Sequence, residues 1–185
     1  TPQVMQPLGE LADELWRVVD TIPASGRVLF AAHKSWPRPA DPVMSAWNAL
    51  NCIREWRGDT HFGILLNDDI GVVEAGLLHD AWMGYPKEWI PRSRGAEDAE
   101  ISAALDNLES RGYVTNGVVN EAGVSYRQEL EDRTDALCEI PWRAFGEANT
   151  LKFLSIIEPV GQVYVDRINR TAGDNWMPAA RPRRR

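Results

Sequence analysis

The chain has 185 residues and a formal net charge of −7; 44 % of its residues are hydrophobic and 25 % are charged. These values exclude a disordered chain, a collagen-like chain and a coiled-coil rod. The acidic balance also argues against a general nucleic-acid coat, which would carry a basic field. The length predicts one domain, with or without a helical extension.

Several classes of protein lack support in the sequence. No stretch reaches the roughly 18 apolar residues of a membrane helix, and residues 1–15 lack the pattern of a signal peptide. Cys52 and Cys138 stand alone in predicted helices, which indicates free thiols in a reducing, cytoplasmic environment. No zinc spacing, phosphate loop or dinucleotide fingerprint is present, so we expect neither a metal nor a cofactor.

The first third of the chain is predicted to be helical. Apolar residues at helical spacing indicate a helix over residues 8–20. Residues 27–33 are predicted as a short helix, with a strand as the alternative. Three prolines make residues 36–42 a loop. A helix then begins at Pro42 and ends near Gly58, and a second helix follows over residues 60–67.

The remaining elements predict a mainly α winged helix-turn-helix fold. Asp68 or Asp69 is expected to cap the next helix, and Pro91–Gly95 is a connection after a short helix. Asn116-Gly117 predicts a β-hairpin, the wing. Helices are predicted over residues 70–83, 97–111, 120–138, 141–145 and 150–167. The order of helices, turn and hairpin is that of a winged helix-turn-helix.

We divide the chain on this basis into three regions. Residues 1–36 are N-terminal helices, and residues 37–168 form the winged helix-turn-helix domain with its flanking helices. Residues 169–185 have no apolar period and end in Arg183-Arg184-Arg185, so they are predicted to be a flexible basic tail.

Two stretches resemble known families. Leu108-Glu109-Ser110-Arg111-Gly112, followed by Asn120-Glu121-Ala122-Gly123, resembles the MarR-type winged helix, whose recognition helix ends in Leu-Glu-x-Arg-Gly and whose wing leads to Thr-x-x-Gly. Arg54-Glu55-Trp56-Arg57-Gly58-Asp59-Thr60-His61, with the later His79, is similar to a segment of an actinobacterial helix-turn-helix family, Leu-Arg-Glu-x-Arg-Gly-Asp-x-His. The resemblance covers residues 27–159. It implies a MarR-like fold, and the family's name implies DNA binding, although fold alone does not fix function.

The charge of the predicted recognition helix opposes DNA binding. Residues 97–111 contain five acids and one arginine, a net charge of −4. Contacts from Lys and Arg to phosphates supply much of the affinity of a protein for DNA. We therefore expect that the helix Glu97–Arg111 does not bind a duplex. The acids form either a docking face for a partner or simply a solvated helix surface, and the expectation is the same in both cases. Arg181 and Arg183–Arg185 of the tail could still contact phosphate.

A cluster of charged and aromatic residues forms the predicted ligand site. Arg54, Arg57 and His61 share one helix face if the helix continues through Gly58. Guanidinium groups suit a carboxylate or a phosphate, and imidazole moves protons near neutral pH. The candidate acid–base groups are His61, Asp59 and His79. The predicted ligand-binding residues are Arg54, Arg57, His61, His79, Trp47, Trp56, Trp82, Arg92 and Arg94.

Each of these residue types also has a purely structural explanation. Arg54 and Arg57 would pair with nearby acids. His79 would be a hydrogen-bonded core histidine, and the tryptophans would be core packing.

Three functions remain open on the sequence. The first is a winged-helix protein that binds a small anionic or aromatic molecule in an Arg/His/Trp-lined pocket, with catalysis in specialised metabolism left open. The second is a ligand-responsive transcriptional regulator that binds DNA as a homodimer built from its terminal helices. The third is an interaction module whose acidic face docks on a basic partner.

Overall fold

The computed structural model describes residues 2–171, whose regular elements are helices apart from one antiparallel two-stranded sheet. The elements in chain order are α1 (Pro2–Gly9), α2 (Ala12–Thr21), α3 (Val28–Lys34), α4 (Pro42–Asn67), α5 (Val72–Met83), α6 (Trp89–Ser93), α7 (Asp98–Ser110), β1 (Val114–Thr115), β2 (Val118–Val119), α8 (Glu121–Phe145) and α9 (Glu147–Thr171). Residues 27–33 are therefore mainly helical, the first of the two alternatives.

The described residues form two compact units. Unit 1 contains those up to Thr60 and from Leu137 onward, and unit 2 contains His61–Ala136. The boundary falls inside α4 and α8, so each of these helices contributes to both units. Within residues 2–171, no helix combines the length and the apolar character needed to span a bilayer.

Unit 1 has its own hydrophobic core, in which Trp56 and Phe30 are among the largest fully buried side chains. The indole nitrogen of Trp56 donates to the carbonyl of Pro23 at 2.9 Å. The guanidinium of Arg27 lies over the Trp56 ring, 3.9 Å from its centroid. These contacts fix the segment before α3 against α4, and cation–π stacking stabilises such an arrangement.

Helix α4 runs without a break from Pro42 to Asn67, whereas the sequence predicted an end near Gly58 and a new helix from residue 60. A glycine inside a helix costs about 1 kcal/mol relative to alanine. Trp56, Asp59 and Thr60 around it are buried, and the packing of these neighbours outweighs that cost. The uninterrupted helix carries Arg54, Arg57 and His61.

The last two helices are also longer than predicted. Helix α8 passes through Pro141 to Phe145, although the sequence predicted a new helix from Pro141. Pro141 is fully buried, and this packing compensates the one helical hydrogen bond that proline cannot donate. Helix α9 continues to Thr171, past the predicted start of the tail at residue 169. Arg181 and Arg183–Arg185 lie outside the described residues.

The predicted hairpin is present in unit 2, where Val114 pairs with Val119. Asn116 and Gly117 both have positive φ, 53° and 71°, as a two-residue type I′ turn requires. The side chain of Asn120 then accepts a hydrogen bond from the backbone of Gly123 at 3.1 Å, which caps α8.

Helices α5 and α6 differ from prediction at their ends. Gly71, not Asp68 or Asp69, precedes the first turn of α5, and the Glu74 carboxylate accepts the backbone hydrogen bond of Gly71. Pro91, predicted in a connection, lies inside α6.

The core of unit 2 contains Leu78, Leu108 and Leu130, all fully buried. The mainly helical architecture with a small antiparallel sheet is confirmed, and the order of elements is that of a helix-turn-helix protein.

Candidate functional site

Most of the residues that the sequence predicted to form one ligand site line two separate cavities. One of about 490 Å³ lies in unit 2, and one of about 400 Å³ lies in unit 1. The predicted residues at the unit 2 cavity are His61, His79 and Arg94. Those at the unit 1 cavity are Arg54, Arg57, Trp47 and Trp56. Three predicted residues, Asp59, Trp82 and Arg92, line neither cavity.

The walls of the unit 2 cavity are mostly aliphatic. Leu65, Ile70, Ile90 and Leu130 line it and are buried. A Cβ atom on Gly76, which also lines the cavity, would lie 3.0 Å from a side-chain carbon of Pro91 in α6. The small residue therefore allows α5 and α6 to pack closely. The volume is within the range of ligand pockets, about 300–1,000 Å³.

His61 is held in a defined tautomer at this cavity. The hydroxyl of buried Thr134 donates its hydrogen to the carbonyl of Leu130 at 2.7 Å. Its oxygen therefore accepts a hydrogen bond from His61 Nδ1, which lies 3.0 Å away. In the neutral ring Nδ1 carries the hydrogen and Nε2 is the basic nitrogen.

His79 belongs to a buried network centred on Arg127. A guanidinium has only donor groups, so His79 Nδ1 accepts from Arg127 Nη2 at 3.2 Å. Arg127 also pairs with Glu131 at 2.8 Å, and both side chains are buried. The guanidinium lies 4.6 Å from the centroid of the Trp82 ring, and the Trp82 indole donates to Gln128 at 2.9 Å. Trp82 thus supports this network.

Arg92 and Arg94, two residues apart, have different surroundings. Arg92 forms salt bridges of 2.8 Å with both Glu88 and Asp98, and the hydrogen bonds to Asp98 and Glu88 raise the pKa of its guanidinium. Arg94 lines the cavity. Among residues 2–171 its side chain makes neither a hydrogen bond nor a salt bridge. Its positive charge acts on Asp80 and lowers the pKa of that carboxyl, but no acid of the described residues pairs with Arg94 directly.

Asp80 supports the site and was missed by the sequence analysis. It is buried, and both its carboxylate oxygens accept from the backbone amide of Ile90, at 3.0 and 3.2 Å. Burial raises the pKa of Asp80 to about 6, against the opposing effect of the Ile90 hydrogen bond. The available signal was an acid directly after His79 in an otherwise apolar stretch. This contact fixes the first turn of α6, whose other end is followed by Arg94.

The unit 1 cavity is aromatic and basic. Trp142 and Phe153 line it together with the exposed ring of Trp47, and the centroids of Trp142 and Phe153 lie 5.8 Å apart. Arg54 forms a salt bridge with Glu55 at 2.5 Å. This pairing with a nearby acid is the structural alternative that the sequence left open for Arg54.

Asp59 has a structural partner in unit 1. Its carboxylate accepts the backbone hydrogen bond of Phe30 at 2.8 Å, and the residue is buried. The first amides of a helix have no partner within the helix, so Asp59 satisfies one at the start of α3. Of the three predicted acid–base groups, only His61 and His79 line the unit 2 cavity.

The exposed surface of α7 and the residue before it is acidic. The exposed acids are Glu97, Asp98, Glu100, Asp106 and Glu109. Arg111, at the end of α7, donates to the backbone carbonyls of Asp68 and Asp69 at 2.6 and 3.0 Å.

No group of three potential metal ligands comes together anywhere within residues 2–171.

The comparison with protein families defines the class of this protein. The model of a helix-turn-helix family matches residues 2–170, and the chain belongs to this helix-turn-helix family. No curated protein and no solved structure matches the chain. The family match confirms the helix-turn-helix part of the resemblance drawn from the sequence. Its MarR-like and actinobacterial parts stay predictions.

Proposed function

We propose that this helix-turn-helix family protein binds a small organic anion with an apolar body in the unit 2 cavity. The observation that carries the proposal is the guanidinium of Arg94, which has no salt-bridge partner among residues 2–171 and lines a mostly aliphatic cavity. Cys52 and Cys138 are buried and form no disulfide within the described residues, which supports a reducing, cytoplasmic location for this activity.

The charges of the lining residues favour an anion. Arg127 is also cationic, but Glu131 pairs with it, so the remaining charge is that of Arg94. No acid among residues 2–171 lines the cavity. A guanidinium presents parallel N–H donors that match a carboxylate or a phosphate. The imidazoles of His61 and His79 add polar groups that orient the ligand.

We infer the apolar body of the ligand from the apolar walls of the cavity. Leu65, Ile70, Ile90 and Leu130 are buried around the cavity, and an apolar ligand displaces water from such surfaces favourably. The tryptophans that the sequence placed in one site line the other cavity or the Arg127 network. The proposed site therefore keeps His61, His79 and Arg94 from the predicted set and adds Arg127.

Isothermal titration calorimetry of the full chain tests the proposal. The panel contains carboxylates and phosphates with aliphatic or aromatic bodies. We expect Arg94→Met to weaken binding of the responding compounds at least about tenfold, the effect of losing a charge-assisted hydrogen bond. Arg92→Met is the matched control, because its guanidinium pairs with Glu88 and Asp98 outside the cavity, and it should bind as the natural chain does.

Two results would overturn the proposal. One is the absence of binding heat for every compound while circular dichroism shows a folded chain. The other is an equal loss of affinity in both arginine variants.

The family match favours a second candidate, a DNA-binding regulator. Its weakness is the acidic exposed surface of α7, where Ser102 and Asp106 are both exposed. A gel shift on duplex DNA distinguishes the candidates. Under the first, the natural chain does not bind at about 150 mM salt, and Ser102→Lys with Asp106→Lys creates only sequence-independent binding that salt removes. Sequence-dependent binding by the natural chain establishes the second.

A homodimer is part of this second candidate. Helix α9 has 25 residues and none is buried, and Leu154, Tyr164 and Ile168, which lie on one side of the helix, are large and exposed. Such an apolar helix surface is typical of an association site. Light scattering after size exclusion should give twice the chain mass, and Tyr164→Glu should give a monomer.

A further inference from the structure

We infer that the ligand of the unit 2 cavity is an aliphatic amphiphile, an anionic head on an unbranched hydrocarbon tail that crosses the mouth of the cavity. This inference rests on the proposed function and names the chemical class of its ligand. It depends on where the apolar lining residues are buried and where they are exposed.

The mouth of the cavity has an apolar rim formed by Phe62, Leu66 and Val72. All three line the cavity, yet their exposed fractions are 52 %, 79 % and 71 %. Phe62 and Leu66 are four residues apart on α4 and so share one face of the helix, and Val72 is the first residue of α5. Grouped exposed apolar side chains beside a pocket are typical of a binding surface.

The lining is apolar from the interior to the rim. Leu65 and Ile70, neighbours of the rim residues in the chain, line the same cavity and are 7 % and 6 % exposed. A ligand that stops inside the cavity would leave the rim in water, and a ligand with a polar far end would place polar groups on it. A hydrocarbon tail covers both surfaces, and each methylene removed from water contributes favourably.

The composition of the lining also selects the head and the tail. Of the lining residues that the structure describes, Arg94 and Arg127 are charged and none is acidic, so a cationic amphiphile is disfavoured. Phe62 is the single carbocyclic aromatic side chain that residues 2–171 contribute to the lining, so the walls offer little of the ring stacking that a flat aromatic body would use. Most of the other lining side chains are branched and aliphatic, namely Leu65, Leu66, Ile70, Val72, Ile90 and Leu130.

A chain-length series tests the inference by calorimetry on the full chain. The probes are butanoate, hexanoate, octanoate and decanoate below their micelle concentrations, with 1-decanol as the probe that lacks the anionic head. We expect affinity to rise roughly threefold to fourfold for each added methylene group. Decanol should bind at least about tenfold more weakly than decanoate, because it cannot form the charge-assisted pair with Arg94.

A rim variant locates the tail. Leu66→Ser should weaken decanoate several-fold and leave butanoate unchanged. The matched control is Val118→Ser, which removes an exposed apolar side chain of β2 that does not line the cavity. It should leave the whole series unchanged.

The outcomes separate the two claims. Affinity that stays flat from butanoate to decanoate, or equal effects of the two serine variants on decanoate, overturns the inference. If aromatic carboxylates bind with Arg94 dependence while alkanoates do not, the inference fails and the proposed function stands. If no organic anion binds, both fail.

Discussion

Asp80 holds the backbone amide of Ile90 with both of its carboxylate oxygens, at 3.0 and 3.2 Å. The contact joins α5 to the first turn of α6. Because Asp80 is buried, its pKa is raised from an ordinary 3.8 to about 6. A buried carboxylate that anchors a helix therefore titrates near the pH of many experiments.

We expect this titration to make stability depend on pH. A raised pKa means that the folded state binds the proton more tightly than the unfolded state does. The contribution of Asp80 is therefore most favourable near pH 4, falls as pH rises to about 6, and is constant above that value. Between pH 4 and pH 7, the natural chain should lose about 2–3 kcal/mol more free energy of unfolding than Asp80→Asn does. Urea unfolding of both proteins at the two pH values measures this difference.

Asp106→Asn is the control, because Asp106 is exposed on α7. Its free energy of unfolding should follow the natural chain at every pH. A constant difference between the natural chain and Asp80→Asn across this range would show that Asp80 does not titrate there.

Asp68 is expected to act in the opposite direction. The Arg133 guanidinium lies 2.5 and 3.0 Å from its two oxygens and holds the pKa of Asp68 well below its ordinary value. This stabilisation is present above about pH 4 and decreases as the pH falls below it. Arg133 is 36 % exposed, so solvent screening limits the effect of Arg133→Met to about 1–2 kcal/mol at pH 7.

The measurement is urea unfolding of Arg133→Met at pH 7 and pH 3. The matched control is Arg143→Met, since the salt bridge between Arg143 and Glu139 is exposed and contributes little. An equal loss in the two variants at pH 7, or a loss for Arg133→Met that grows at pH 3, would contradict this account.

Local signals in the sequence were sufficient where the chain itself determines the geometry. The turn at Asn116-Gly117 requires positive φ at both positions, and these residues adopt it readily. The same signals failed where burial decides. Gly58 and Pro141 both indicate helix ends, yet buried neighbours of Gly58 and the burial of Pro141 itself extend the helices through them.

The sequence indicated which residue types line the cavities, but it did not indicate which of these residues lie together in one cavity. Arg54 and His61 are close in the chain, but they line cavities in different units. Arg94 was in the predicted set, and one local signal distinguishes it from Arg92, since Glu88 stands four residues before Arg92. The second partner of Arg92, Asp98, is positioned by the fold. Arg127 comes from α8, and no sequence spacing connects it with His79.

A pair of glycines provides a test of the fold. A Cβ atom on Gly123 would lie 2.5 Å from the carbonyl oxygen of Tyr113 and 2.6 Å from a methyl group of Val119. Gly123→Ala should therefore destabilise the chain by about 1–3 kcal/mol, because backbone and hairpin must shift. At Gly58 the nearest atom would be a Glu55 oxygen at 3.6 Å, so Gly58→Ala should stabilise α4 by about 0.5–1 kcal/mol. Thermal unfolding measures both, and a destabilising Gly58→Ala would contradict the continuous helix.

The buried pair of Arg127 and Glu131 should behave differently from a surface salt bridge. Both side chains are buried, and their 2.8 Å contact lies beside His79 and Trp82. Glu131→Leu leaves a buried guanidinium without its main counter-charge, and we expect a loss of about 3–5 kcal/mol. Arg127→Met together with Glu131→Leu removes both charges and should recover more than half of that loss, because neither desolvated charge remains. Denaturant unfolding of both single variants and the double variant gives the coupling free energy. Additive losses in the double variant would show that the two charges do not depend on each other.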